Sequence, residues 1–349
     1  MRKSVFTKLG VCVLLISMVL SLAGCGGSGK EKLYVYNWGD YIDESVIKDF
    51  EKEYNVDVVY ELFATNEEMY VKIKTGAANY DVAIPSDYMI SKMIAEDMLY
   101  TIDLNNVPNY ALIDDRFKNL DYDPNNQYSV PYMWGTLGII YNKTMVDEKV
   151  DSWDILWNEK YAKKILMLDS VRDSVGVALK KLGYSLNSRS EKELEEAKAE
   201  LIKQRPLVMA YVVDEVKDKM IGNEAALAVC WAGDAVFMME ENPDLEYVIP
   251  KEGTNIFYDA MIIPKTSQNK ELAEKFIDFM CRTEIAYKNA DYIGYSTPHK
   301  EVMAMMPEEL TSNPAYYPSE GELEGSEVFE DLTEVLPIYD RIWTEIKSQ

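Results

Sequence analysis

The chain has 349 residues and a formal net charge of −24, because its 60 Asp and Glu residues outnumber its 36 Lys and Arg residues. An acidic surface of this strength repels nucleic acid and anionic lipid headgroups, so we expect no nucleic-acid partner. The length predicts two domains, and an apolar fraction of 48% is sufficient for a hydrophobic core in each of them.

The first residues have the pattern of an export signal. A basic start precedes an apolar run at 11–22, and the run ends in Leu22-Ala23-Gly24-Cys25, which resembles the bacterial lipobox. The sequence predicts a signal peptide at 1–24 and a lipidated Cys25 that opens a flexible tether at 25–31. The mature protein is then anchored to the cell membrane, outside the cytoplasm. The alternative is a conventional signal peptide with a coincidental cysteine.

Strand-like and helix-like segments alternate along the rest of the chain. Strands are predicted at 33–35, 56–60, 81–85, 137–141, 165–168, 207–211, 226–230, 246–249 and 257–263, and helices near 46–54, 66–75, 172–182, 191–203 and 235–239 and from about 86, 270 and 284. This alternation predicts an α/β fold with mixed sheets flanked by helices.

The chain has no linker rich in proline and glycine, so we expect it to pass between two lobes more than once. The candidate crossings are Leu137–Tyr141 and Phe257–Pro264. Two lobes joined in this way close on a ligand by hinge motion. The predicted division is 32–138 plus 258–302 for one lobe and 139–257 plus 303–349 for the other.

Two strand ends carry the same residue types in the same order. The segment YNWGDY at 36–41 follows a predicted strand and precedes a helix, and CWAGD at 230–234 repeats this arrangement of Trp, a small residue and Asp. Ligands of open α/β sheets bind at such strand ends. Taken singly, each residue is better explained by a structural role: Asp40 as a turn cap, Asp234 as a helix cap, and each Trp as a core residue.

Other segments place acids or hydroxyls near aromatic rings or at the start of a helix. Asp259 follows two aromatic residues, Asp173 lies at the start of a predicted helix, and Tyr295 lies in a turn. A carboxylate offsets the cost of burying an ammonium group, and an aromatic ring packs on the methylene groups of a ligand. The recurrence therefore favours a site for an aliphatic polyamine.

Enzyme signatures are weak. The chain has one His, no cluster with metal-ligand spacing, and no nucleophile, phosphate-binding or dinucleotide motif, so we expect no metal, no cofactor and no enzymatic activity. A carboxylate pair for glycoside hydrolysis stays open as an alternative. Cys230 and Cys281 could pair or stay free.

Over nearly the whole length after the signal peptide, the sequence resembles a known family, the spermidine/putrescine-binding components of bacterial ABC importers. The matching segments are LYVYNWGDYI, NEEMY, VAIPSDYM, YSVPYMWG, ALKKLGYS, VCWAGDA, PKEG with FYDAMIIP, and YIGYSTP. The resemblance implies a two-lobed type II periplasmic-binding-protein fold, with each lobe a mixed sheet flanked by helices and with two crossover strands. It also implies a polyamine ligand, permease and ATPase partners, and a monomer.

The resemblance also implies a set of ligand-binding residues. These are Trp38, Asp40, Tyr41, Ser86, Tyr88, Asp173, Trp231, Asp234, Phe257, Asp259 and Tyr295.

Some positions depart from the spermidine-preferring pattern. Ser170 replaces an acid, Phe257 replaces a Trp, and Phe329, next to Glu330, replaces a polar residue. Asp234 matches the putrescine-preferring members, so we lean towards putrescine or dual specificity. Alternatives with the same fold are an amino acid, a betaine-like cation or Fe(III), and a secreted hydrolase is the alternative of a different class.

Overall fold

The computed structural model describes residues 29–348. The predicted signal peptide at 1–24, Cys25 and the first residues of the tether lie outside the described residues. No helix within 29–348 has both the length and the apolar character needed to cross a membrane.

The described residues form strands and helices in alternation. The strands are β1 Lys32–Trp38, β2 Asp57–Phe63, β3 Val82–Ala83, β4 Ser129–Asn142, β5 Ile165–Leu168, β6 Val208–Val212, β7 Leu227–Trp231, β8 Leu245–Val248, β9 Asn255–Ile262 and β10 Glu327–Val328. The helices are α1 Glu44–Tyr54, α2 Asn66–Lys74, α3 Asp87–Ala95, α4 Val171–Lys181, α5 Glu191–Gln204, α6 Glu215–Ile221, α7 Ala232–Glu241, α8 Lys270–Met280, α9 Thr283–Ile293, α10 Lys300–Met305, α11 Glu308–Thr311 and α12 Leu336–Lys347.

The strands follow the order β2-β1-β3-β9-β4-β7-β5-β6, with β10 beside β9 and β8 beside β4. Strand β1 is parallel to β2 and β3, and β5 is parallel to β6 and β7. Strand β4 is antiparallel to β9 and to β7. The expectation of an α/β fold with mixed sheets and flanking helices is confirmed.

Strand β4 joins the two parts of this arrangement. Its first half, Ser129–Thr136, pairs with β9, and its second half, Leu137–Tyr141, pairs with β7. The predicted crossing at 137–141 is therefore the second half of a longer strand. Strand β9 lies beside β4 and is the second connection, so the chain forms two lobes joined by two crossover strands.

Helix starts place polar side chains at the ends of strands. Asp43 caps α1 by accepting a hydrogen bond of 2.8 Å from the backbone N–H of Ser45, and Ser170 accepts one of 3.5 Å from Asp173 at the start of α4. Ser86 precedes α3 as expected for a cap, but its side chain makes no capping bond. Instead, its Oγ accepts a hydrogen bond of 3.1 Å from Nδ2 of Asn66.

The C-terminal region contacts both lobes. Ser296 donates a hydrogen bond to the carbonyl of Tyr316, and Tyr317 donates one of 3.4 Å to Thr297. Helix α12, in contrast, packs against α4 and α5. This helix buries Tyr339 against the second lobe, where its hydroxyl donates to the carbonyl of Ser188 over 2.9 Å.

The sequence left open whether Cys230 and Cys281 pair with each other. In the structure both are free and buried. Burial raises the pKa of each thiol, so both stay protonated and unreactive in the folded protein.

Candidate functional site

A cavity of about 380 Å³ lies between the two lobes. Its walls come from the ends of β1 and β7, the starts of α3 and α4, and strand β9. All of the sequence-predicted site residues line this one cavity: Trp38, Asp40, Tyr41, Ser86, Tyr88, Asp173, Trp231, Asp234, Phe257, Asp259 and Tyr295. The two copies of the Trp-small-Asp pattern are therefore brought together from different lobes.

Two carboxyl groups in the cavity are incompletely hydrogen-bonded. Asp259 is 5% exposed, and its Oδ2 accepts a hydrogen bond of 2.7 Å from the Tyr41 hydroxyl. Asp173 is 6% exposed, and its Oδ2 accepts one of 2.5 Å from Ser170. The Oδ1 atom of each is buried and finds no hydrogen-bond partner among the described residues. We refer to Asp173 and Asp259 as the two unpartnered carboxyl groups.

Burial makes the charged form of these groups costly. It raises the pKa of Asp259 to about 6, against the opposing effect of the nearby Ser86 and Tyr41 hydroxyl groups. Burial likewise raises the pKa of Asp173 to about 6, although the Ser170 hydrogen bond and the charge of Arg172 lower it. Buried acceptors are nearly always satisfied in native proteins, so each unpartnered oxygen indicates a place for a donor from a ligand.

The other predicted acids have a different environment. Nζ of Lys217, on α6, lies 2.9 Å from Oδ2 of Asp40 and 3.8 Å from Oδ1 of Asp234. Asp40 has a positive φ of 49°, and its side chain is 72% exposed. Burial raises the pKa of Asp234 to about 6 even though Lys217 lowers it. Both acids line the cavity, but a cation of the chain already lies beside them.

Aromatic rings supply the apolar part of the cavity wall. Tyr41 packs edge to face against Tyr295, with ring centroids 5.1 Å apart, and Phe257 lies 6.1 Å from the same ring. On the opposite lobe, a Cβ added to Gly233 would lie 1.8 Å from Tyr295. The glycine is therefore what lets the backbone of α7 approach this ring.

Trp38 donates a hydrogen bond of 2.8 Å from Nε1 to the carbonyl of Ile84, which orients its ring. Trp231, at the end of β7, is partly buried and lines the cavity from the second lobe. These two indoles, with the rings of Tyr41, Phe257 and Tyr295, form surfaces on which methylene groups or a cation can pack.

Ser86 and Tyr88 are tied to neighbouring polar residues. Ser86 is hydrogen-bonded to Asn66, as described above, and the Tyr88 hydroxyl donates to Oε1 of Glu67 over 2.9 Å. Asp87 lies between them and accepts backbone N–H groups from Tyr88 at 2.6 Å and from Tyr258 at 2.8 Å. Burial raises the pKa of Asp87 to about 8.

The C-terminal segment contributes a ring rather than a polar group. Phe329 lines the cavity, whereas Glu330 does not. The guanidinium of Arg172 lies 4.3 Å from the centroid of the Phe329 ring and donates to the carbonyl of Glu330 over 3.1 Å. Phe329 is therefore part of the apolar wall. Glu330 contacts Arg172 through its backbone carbonyl, and its side chain pairs with Arg189 at 2.9 Å.

Sequence reasoning missed several residues of the cavity. Glu67, Asp87 and Arg172 line it, as does Asn255, whose buried Oδ1 has no hydrogen-bond partner within the described part of the chain. Asp87 and Arg172 directly adjoin predicted site residues at helix starts, which is a usable signal. Asn255 and Lys217 carry no such signal, because only the fold brings them to the cavity.

Residues 29–348 contain no group of three or more His, Cys, Asp or Glu side chains that could hold a metal ion. Among the described residues that line the cavity, Arg172 is the only cation, and two further cations, Lys217 and Lys347, contact the lining acids Asp40 and Asp169. The acids outnumber these cations. The arrangement can bind a cationic solute.

Comparisons with known proteins agree with this geometry. The model of the bacterial extracellular solute-binding protein family matches residues 45–318. The spermidine/putrescine-binding periplasmic protein of Salmonella typhimurium is 34% identical over 336 residues, which cover 95% of this chain and 96% of the relative. A putrescine-binding periplasmic protein of Pseudomonas aeruginosa is 31% identical over 362 residues, covering 98% of this chain and 99% of the relative.

A solved structure described as a spermidine/putrescine ABC transporter from Listeria monocytogenes has the same fold. It superimposes with a TM-score of 0.88 at 44% identity, and the match covers 91% of this chain and 99% of that one. The fold is therefore that of the type II periplasmic binding proteins, as the resemblance implied.

Proposed function

Because the chain belongs to the bacterial extracellular solute-binding protein family, we propose that it binds an aliphatic polyamine outside the cytoplasm and delivers it to an ABC importer. The ligand is putrescine, spermidine or both. The observation that carries this proposal is the pair of unpartnered carboxyl groups, Asp173 and Asp259, in one cavity lined by aromatic rings.

The physical reasoning concerns what each buried carboxylate lacks. An ammonium group donates up to three hydrogen bonds and brings a full positive charge, so it satisfies the free oxygen and removes the cost of burying the negative charge. Hydrogen bonds between charged groups contribute about 1.5–3 kcal/mol each. Asp173 lies in the first turn of α4, in the second lobe, whereas Asp259 lies on the crossover strand β9. A molecule with an ammonium at each end therefore connects the lobes and favours closure.

The aromatic residues account for the middle of the ligand. The methylene chain of a polyamine is apolar and slender, and the rings of Trp38, Trp231 and Phe257 line the same cavity as the acids. Burial of this chain contributes about 0.8 kcal/mol for each CH₂ group. We propose all of the cavity-lining residues predicted from the sequence as the binding site.

Further statements belong to the same proposal. We propose a monomer without enzymatic activity, attached to the membrane through a lipid on Cys25. We also propose the predicted lobe division, 32–138 plus 258–302 and 139–257 plus 303–349, with one change: the segment around Tyr316 belongs to the first lobe. The hydrogen bond from Ser296 to the carbonyl of Tyr316 supports this change.

A zwitterionic amino acid is the second candidate ligand. Arg172 lines the cavity, and its Nε is buried with no hydrogen-bond partner in the described structure. A guanidinium recognises a ligand carboxylate well. The excess of acids over bases in the cavity favours the polyamine.

Isothermal titration calorimetry of the purified protein tests the proposal. Putrescine, spermidine and a panel of amino acids are titrated under the same conditions. We expect one of the polyamines to bind with a Kd well below ~100 μM, and all amino acids to bind more weakly. Polyamine binding no tighter than ~100 μM, or tighter binding of an amino acid, overturns the ligand assignment.

A further inference from the structure

Lys217 places a positive charge beside the cavity. Its side chain is 14% exposed, and its Nζ lies 2.9 Å from Asp40, 3.8 Å from Asp234 and 3.9 Å from Asp214. Burial by itself would lower the pKa of Lys217, but the three nearby carboxylates raise it above its ordinary value. The group is therefore a cation in the folded protein.

The contacts of Lys217 cross the cleft. Asp40 follows β1 in the first lobe, whereas Lys217 and Asp234 lie on α6 and α7 of the second lobe, which pack against each other. The two acids and Asp214 line the same cavity as the unpartnered carboxyl groups. In one region of the cavity, three carboxylates therefore share the single ammonium of Lys217. In another region, two carboxyl oxygens have no donor among the described residues.

We propose that Lys217 is a specificity-determining residue: its ammonium occupies, at Asp40 and Asp234, the position that an additional ammonium of a longer polyamine would take. The inference rests on the proposed function and deepens it. A ligand ammonium that approaches Asp40 or Asp234 must displace Lys217 or bear its repulsion. Ligands are consequently held at Asp173 and Asp259, and each ammonium group beyond those two gains little.

This assignment makes a prediction opposite to that of a simple structural ion pair. Removal of Lys217 leaves three acids at the cavity without their cation, and a longer polyamine can supply it. Affinity for the longer ligand should then rise. If Lys217 only held the lobes together, its removal would weaken the binding of every polyamine alike.

The test measures the affinities of the full mature protein for putrescine, spermidine and spermine by calorimetry. The variant Lys217→Met removes the charge and keeps an unbranched apolar side chain. Lys219→Met is the matched control, because Lys219 lies on the same helix but donates to Glu224 over 3.1 Å. Lys217→Arg keeps the charge, and thermal melting of each ligand-free variant reports on folding.

We expect Lys217→Met to raise the affinity for spermidine and spermine relative to putrescine by about tenfold, the size of one charge-assisted hydrogen bond. Lys217→Arg and Lys219→Met should keep the wild-type ratio. Adding Asp234→Asn to Lys217→Met should reduce the gain. If Lys217→Met melts much lower, Lys217→Gln gives the same comparison.

Two outcomes overturn the inference. A spermidine-to-putrescine ratio that stays within about twofold of wild type in Lys217→Met shows that Lys217 does not set ligand length. An equal loss of affinity for all three polyamines shows a purely structural ion pair. If the wild-type protein binds none of the three, the proposed function fails, and the inference fails with it.

Discussion

Asp259→Asn separates the role of Asp259 in binding from its role in folding. The substitution keeps the size of the side chain and an oxygen that accepts the 2.7 Å hydrogen bond from Tyr41, but it removes the charge. Loss of a buried charge that pairs with a ligand ammonium costs about 2–5 kcal/mol. We therefore expect the Kd for putrescine or spermidine to rise roughly 30- to 5,000-fold.

The same substitution should stabilise the protein when no polyamine is added. Burial raises the pKa of Asp259 from its ordinary value of 3.8 to about 6. At neutral pH this shift corresponds to a cost of up to about 3 kcal/mol for holding the charged form, at 1.36 kcal/mol for each pKa unit. Asp259→Asn removes that cost, so the free energy of unfolding should increase while affinity falls.

Calorimetry and urea unfolding on the same preparations provide the assay. Asp244→Asn is the matched control, because Asp244 is exposed and does not line the cavity. The reasoning is refuted if Asp259→Asn costs less than about 0.5 kcal/mol of binding free energy, the range of a neutral surface change. It is also refuted if stability and affinity fall together, since that would indicate a structural role alone.

Further predictions follow from the pKa shifts, the glycine contact and the thiols. Burial holds the pKa of both unpartnered carboxyl groups at about 6, above their unfolded value. Their contribution to stability is therefore present at low pH and lost as the pH rises through about 6, which thermal unfolding against pH measures. Polyamine affinity should change in the opposite direction, rising through about pH 6, and a flat calorimetric profile contradicts this. Gly233→Ala should weaken polyamine binding by roughly tenfold or more, because its Cβ would meet the Tyr295 ring of the other lobe; unchanged affinity would show that the ring moves freely. Cys230 and Cys281 should react with a thiol reagent only after denaturation, and rapid labelling of the native protein would show that these sites open.

Local patterns located most of the fold. Helices α4, α5, α8 and α9 begin within a residue or so of the predicted positions, because apolar periodicity and first-turn polar residues mark helix starts in the sequence itself. Strand β4 was recognised only in its second half. Its first half carries Pro131 and is buried on both faces, so it shows neither alternation nor an ordinary strand composition.

The candidate site divides in a similar way. A repeated local pattern at strand ends contains Trp38, Asp40, Trp231 and Asp234. The sequence alone therefore predicted these residues as part of the site. Lys217 is one of many basic residues, on a short helix that was not predicted, and its closest carboxylate is 177 positions away in the chain. Long-range ion pairs of this kind leave no local pattern.

The sequence by itself determined the alternating α/β organisation, the strand-end clusters of rings and acids, and the family resemblance, since each depends on neighbouring residues or on motif order. Only the tertiary structure decided which acids are available to a ligand. Asp173 and Asp259 keep a buried oxygen without a partner in the described structure, whereas Asp40 and Asp234 lie beside Lys217. The physical reason is that a carboxylate's charge state and free hydrogen-bonding capacity depend on burial and on neighbours brought close by folding, not on its position in the chain.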